Sequence, residues 1–236
     1  MLLILLLLSN TSSSLFGKQT GTTIPFSELP SKASGVPHPN YAELYRAWNL
    51  AEIGLSEDAF IKAQKGYAVL ESENLLKNDK LLTIIDYSKP SSQKRLFVLD
   101  METGKILFNS LVAHGRRSGC DYATEFSNKA ESHKSSLGFY ITLDTYVGSN
   151  GYSLKLKGCE KGINDKAYNR AIVMHGADYV SERFISENGY LGRSYGCPAV
   201  PVSLSAKIID VIKGGTCMFL YYPSKKYISQ SKILNS

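Results

Sequence analysis

With 236 residues, 43% hydrophobic and 11% aromatic, the chain is long and apolar enough to close one sizeable core, which argues against disorder. The net charge of +6 comes from scattered Lys and Arg rather than a basic stripe with a recognisable module, so no nucleic-acid partner is expected. Four cysteines, Cys120, Cys159, Cys197 and Cys217, show no CxxC or His-rich spacing, so neither a metal site nor a metal-borne cofactor is expected.

In chain order, Met1 to Leu8 is an apolar run far shorter than the roughly 20 residues that span a bilayer. Residues 1–17 are expected to be a signal-like segment of the exported type, although no basic n-region or small-x-small cleavage site accompanies it. Residues 18–40, broken by Pro25, Pro30, Pro37 and Pro39, read as a linker. Tyr41, Leu44, Tyr45 and Trp48 recur at helical spacing, and Ser56-Glu57-Asp58 has the form of an N-cap with an acidic first turn. Residues 41–78 are therefore expected to form a helical preface packed on the main domain. Gly66 weakens its second helix without forbidding it.

From Leu81 the pattern changes to short branched and aromatic runs. Strands are expected over 81–86, 95–100, 106–113, 139–145, 153–156, 171–174 and 217–222, with a hairpin turn at Asp100 to Lys105. A helix is expected over 203–213, stopped by Gly214-Gly215. Many short strands and one helix predict a mainly β domain over 79–223, a sandwich or half-open barrel, with 224–236 left as a tail.

The chemistry concentrates in Ile172-Val173-Met174-His175-Gly176 and, 22 residues after the histidine, Arg193-Ser194-Tyr195-Gly196-Cys197-Pro198. An imidazole at a strand end and a cysteine between glycine and proline are the base and nucleophile that thiol chemistry needs. Pro198 has no N–H, so an oxyanion hole must draw on Cys197, Gly196 or Tyr195. A structural pair, a buried thiol beside a core histidine, is the competing reading. Arg193 could grip a carboxylate with its planar fork or be a solvated loop residue. Ser194 could bond substrate or only its own turn. A lone His114 is more often structural than catalytic and stays outside the catalytic set.

His175-Gly176 with Ser194-x-Gly196-Cys197 resembles the His-Gly and Ser-x-Gly-Cys signature of the L,D-transpeptidases. Ser135 to Tyr140 is similar to that family's Thr-Pro-x-Gly-x-Phe segment. Ala113-His114-Gly115, Phe126-Ser127-Asn128, Arg170 to Tyr179 and Gly192 to Val200 match the murein L,D-transpeptidase catalytic domain branch. The resemblance covers roughly residues 50–223 and departs from the commoner pattern at Tyr195, where many members carry histidine, and at Ala199, where they carry arginine or asparagine.

The resemblance implies a β-rich catalytic domain that needs no cofactor and is exported to the periplasm or cell envelope. It implies peptidoglycan stem peptides as partners and susceptibility to carbapenem-type inhibitors. Cys197 would form a thioester with the donor tetrapeptide and release D-Ala, with His175 as base and then acid. Gly196 and Cys197 would supply oxyanion donors, and Arg193, Ser194 and Gly176 would contact substrate. The acceptor could be an amine, giving transfer, or water, giving L,D-carboxypeptidase activity. A catalytically inactive wall-binding module is the alternative from another class. A papain-type peptidase is disfavoured by chain order, because here the histidine precedes the cysteine. The imidazole could be oriented by a backbone carbonyl or by a side chain such as Asp178. A Cys120–Cys159 bridge is possible in an oxidising compartment.

Overall fold

Strand β1, Leu81–Asp86, is Leu-Leu-Thr-Ile-Ile-Asp and buried along its whole length, the mark of a strand covered on both faces. It pairs in parallel with the equally buried β8, Cys217–Tyr221, and the two form the centre of one eight-stranded sheet. These relations come from a computed structural model that describes residues 40–236. The signal-like segment and nearly all of the expected linker lie outside the described residues.

Two helices precede the sheet, α1 (Tyr41–Ala47) and α2 (Glu57–Ser72). The Ser56 side chain caps α2 by accepting from the Ala59 N–H, as its sequence position predicts. Gly66 has a packing reason to sit mid-helix: a Cβ there would lie 2.0 Å from Phe139 Cζ. The missing side chain lets α2 press on Phe139, which stacks on Phe219 with ring centres 4.2 Å apart.

The remaining strands are β2 (Leu96–Asp100), β3 (Ile106–Ser110), β4 (Gly138–Gly148), β5 (Gly151–Gly158), β6 (Val173–Gly176) and β7 (Ala199–Val200). The sheet order is β3-β2-β1-β8-β4-β5-β6-β7, antiparallel except for the pairs β1–β8 and β6–β7. Beyond β3 the Ala113 N–H donates to Ala199 O at 2.8 Å, so the two edges of the sheet meet. The sheet therefore closes as a nearly complete barrel, the mainly β architecture expected.

The expected strand over 106–113 stops at Ser110, because the chain there leaves β2 to make that closing bridge. Helix α4 (Val202–Ile212) follows β7 and ends before Gly214 and Gly215, both at positive φ. Helices α3 (Glu182–Asn188) and α5 (Lys225–Gln230) were not expected. Within residues 224–236, Tyr227 and Ser231 are buried, and both hydroxyls donate to the buried Glu160 carboxylate. All four cysteines are free thiols, so the bridge between Cys120 and Cys159 is not formed.

Candidate active site

Register brings the histidine and the cysteine together. β6 pairs with β5 so that His175 faces Ser153, and in parallel with β7 so that His175 faces Ala199. Cys197 precedes Ala199 by two residues and Val173 precedes His175 by two, so the thiol falls beside Val173. The contacts agree: the Val173 N–H points at Cys197 Sγ (3.5 Å), and the thiol hydrogen is directed at Ala171 O (3.8 Å). Ala171 is held in the left-handed region at φ 52°, a conformation a non-glycine residue rarely adopts, and its carbonyl is thereby aimed at the sulfur.

The His175 imidazole is positioned by the backbone. Its Nδ1 lies 2.9 Å from Gly176 O, so Nδ1 carries the hydrogen toward that carbonyl and Nε2 is the nitrogen left free to face the cleft. Asp178, the alternative orienting group, is exposed and is not bonded to the ring. No hydrogen bond joins His175 to Cys197 among the described residues. Both instead line one cleft of about 590 Å³, together with Arg170, Asp178, Tyr179, Arg193 and Tyr195.

Burial pushes the Cys197 thiol above its ordinary value, opposed by the Val173 N–H and by the Arg170 guanidinium. A thiol raised in this way would need a base to become a thiolate. Arg170, to which the sequence pattern assigns no role, is the cation whose charge acts on it. Its guanidinium donates to Ser127 O, Ser136 Oγ, Ser132 Oγ and Lys134 O, fastening the 127–136 loop beneath the cysteine turn. An arginine just before an apolar strand was the available signal, although solvated loop arginines look the same in sequence.

The cysteine turn is braced by a second segment. Ser194 N–H donates to His114 O, Arg116 N–H donates to Ser194 O, and Ser135 Oγ links the Gly115 N–H to Gly196 O. His114 is buried away from the cleft, its Nδ1 accepting from Arg95 and its Nε2 facing Gly119 O. Gly196 sits at φ 124°, and a Cβ there would come 2.8 Å from Lys134 O, so the close turn requires glycine.

The other candidate residues take distinct places. Ser194 is buried and committed to its own turn, accepting from Gly196 N–H (3.0 Å) and donating to Cys197 O (2.7 Å). The Gly196 N–H is consequently occupied and is not an available oxyanion donor. Those of Cys197 and Tyr195 have no acceptor among the described residues. Gly176 lines the cleft, but its carbonyl holds the His175 ring. Arg193 stands exposed at the rim, with one Nη donating to Gly119 O (3.3 Å) and its guanidinium 5.4 Å from the Tyr190 ring centre. Tyr195, also at the rim, packs between His133 and Arg116.

Residues 51–221 match the family model of the L,D-transpeptidase catalytic domain. The chain belongs to that family. No curated protein sequence matches it. Among solved structures it is similar to an L,D-transpeptidase from Mycobacterium smegmatis, at 13% identity over 61% of this chain and 59% of that one, with a TM-score of 0.38. It is also similar to the LD transpeptidase LdtMt1 in complex with imipenem, at 13% identity over 60% and 59%, TM-score 0.38. A third likeness is to the helical cell shape determining protein of Campylobacter jejuni, at 17% identity over 70% and 57%, TM-score 0.40. The aligned part thus spans less than two thirds of each of these longer chains.

Proposed function

We propose that this L,D-transpeptidase-type domain is a cysteine acyltransferase acting on the stem peptides of peptidoglycan in the cell envelope. Cys197 gives its proton to His175 Nε2, and the thiolate adds to the carbonyl of the third stem residue. Its negative oxygen is met by the Cys197 and Tyr195 N–H groups. The C–N bond to the terminal D-Ala then breaks, and the His175 imidazolium returns the proton to the departing amine. The thioester passes its acyl group to an amine of a second stem, or to water.

The observation that carries this reading is the shared cleft: Cys197 and His175 line it together, with the ring nitrogen nearest to a base's role left unbonded by the Gly176 contact. Arg193 at the rim is suited to a donor carboxylate. The competing reading, an inactive wall-binding module, draws on the buried, protonated thiol and on the lack of a bond from it to the histidine.

The two readings separate on exposure of the protein to a carbapenem followed by intact-mass measurement. Acyl transfer predicts one covalent adduct, lost in Cys197→Ala while the fold is retained. A folded parent with a reduced Cys197 and no adduct would favour the binding module.

A further inference from the structure

Beside the cleft lies a smaller slot of about 220 Å³, lined by Tyr146, Lys155, Tyr168, Ala171, Ile172 and Val173. It shares Ala171 and Ile172 with the cleft that holds Cys197, so the two adjoin. Register places them on one face of the sheet. Ser153 faces both Tyr146 and His175 across its neighbouring strands, Lys155 faces Val173, and residues two apart on a strand share a face. The face carrying His175 therefore continues through Val173 and Lys155 to Tyr146. Tyr168 closes the slot from the loop that leads into Ala171.

Two features make this slot a ligand site in form. Tyr146 and Tyr168 are 37% and 53% exposed, and single exposed aromatics need no explanation, but here two large rings flank one cavity. Neither phenolic hydroxyl has a hydrogen-bond partner among the described residues. Lys155 Nζ stands 5.5 Å from the Tyr146 ring centre, adding a charged donor to the slot. Apolar ring faces, rimmed by hydroxyls and one ammonium, match a pyranose: its C–H face is apolar, while its edge carries hydroxyl and amide acceptors. The slot has room for one such ring rather than a chain of them.

We propose that the Tyr146–Tyr168 slot is a subsite for an N-acetylhexosamine ring of the glycan strand that bears the donor stem. This rests on the proposed reaction at Cys197, since a stem peptide in the cleft is covalently attached to such a sugar. Stacking there would orient the stem along the face that ends at the thiol.

The test is binding of a peptide-free β-1,4-linked N-acetylglucosamine tetrasaccharide to the full chain, followed by calorimetry and by amide shifts. Binding that perturbs residues 146, 155 and 168, and weakens more than tenfold in Tyr146→Ala/Tyr168→Ala, supports the subsite. The Tyr168→Phe variant, which keeps the ring, should retain most of the affinity and controls for misfolding. No binding by the parent, or undiminished binding by the double variant, overturns the proposal. Concentration-dependent self-association lost in the double variant, without sugar binding, would give the slot to a second copy and also overturn it. Because the oligosaccharide has no scissile peptide, its binding reports on the slot alone, and carbapenem acylation reports on Cys197 alone.

Discussion

The buried His114 makes acid stability a measurable test of the brace behind the cysteine turn. Burial and then the adjacent Arg95 hold its imidazole at a pKa of about 3, against an ordinary 6.5. Arg95 Nη2 donates to Nδ1 at 2.8 Å, so a proton on that nitrogen would set N–H against N–H. The unfolded chain accepts a proton near 6.5 and the native state does not until about 3, so the unfolded state binds more protons within that window. The contribution of neutral His114 is therefore fully present above pH 6.5 and is lost as the pH falls. Two pH units of this window, at about 1.36 kcal/mol each, amount to about 2 to 3 kcal/mol lost by pH 4.5. His114→Asn removes the titration and keeps a side-chain acceptor for Arg95. Urea unfolding at pH 7.5 and 4.5 should show the parent losing about 2 to 3 kcal/mol more than the variant. Equal losses would mean that native His114 takes its proton normally and that the arginine contact is not restraining it. The link to the site is direct, since the backbone carbonyl of the same residue holds the Ser194 N–H.

Other outcomes follow from the same geometry. Ser194→Ala should cost about 1 to 3 kcal/mol for each of the two buried groups it strands, Gly196 N–H and Cys197 C=O, read by denaturant unfolding, and should slow carbapenem acylation in parallel. A variant as stable and as fast as the parent would show the turn to be held without that hydroxyl. His175→Gln should lower acylation by orders of magnitude near neutrality, because burial keeps the Cys197 thiol protonated there, and should recover part of the rate at alkaline pH. A pH profile equal to the parent's would reassign His175 to packing. Arg193→Ala should reduce kcat/KM for a stem tetrapeptide by more than tenfold, about 1.5 to 3 kcal/mol for a lost charge-assisted contact, and Arg193→Lys by part of that, while reaction with a small uncharged thiol reagent stays unaffected. Equal losses with peptide and reagent would mean that the arginine acts on the thiol.

How much of this was legible depended on the range of the interaction. β1 and the Ser56 cap were visible because they rest on local period and local capping chemistry. β7 was not, since two residues carry no period, and their strand character comes only from pairing with β6 and with Ala113. Helix α5 was not legible for a similar reason: the C-terminal anchors, Tyr227 and Ser231, are polar-tipped residues whose burial depends on a carboxylate some 70 positions away. At the site, residue types named Cys197 and His175, but hydrogen-bond direction could not be read from them. Ser194 looked equally suited to substrate and to its turn until Gly196 N–H was found on its oxygen. The four acceptors of Arg170, spread over residues 127–136, could not be read from its place at the start of the Arg170–Tyr179 segment.

The His175 imidazole is oriented by a backbone carbonyl rather than by a carboxylate. A third group in such a constellation fixes the ring's tautomer and orientation, and a fixed carbonyl can do both. Gly176 O is itself held by the sheet: residue 176 pairs with Val200, the next N–H, of Ala177, donates to Val200 O, and a Cβ at 176 would meet Ser205 Oγ at 2.7 Å. The orienting group therefore belongs to the β6–β7 pairing and cannot be deleted by changing a side chain. The same pairing places Cys197, so one short parallel register sets the imidazole, its hydrogen-bonded orientation and the thiol together. Substitutions that loosen β7 should consequently disturb all three at once, whereas a substitution at Asp178 leaves the ring where Gly176 holds it.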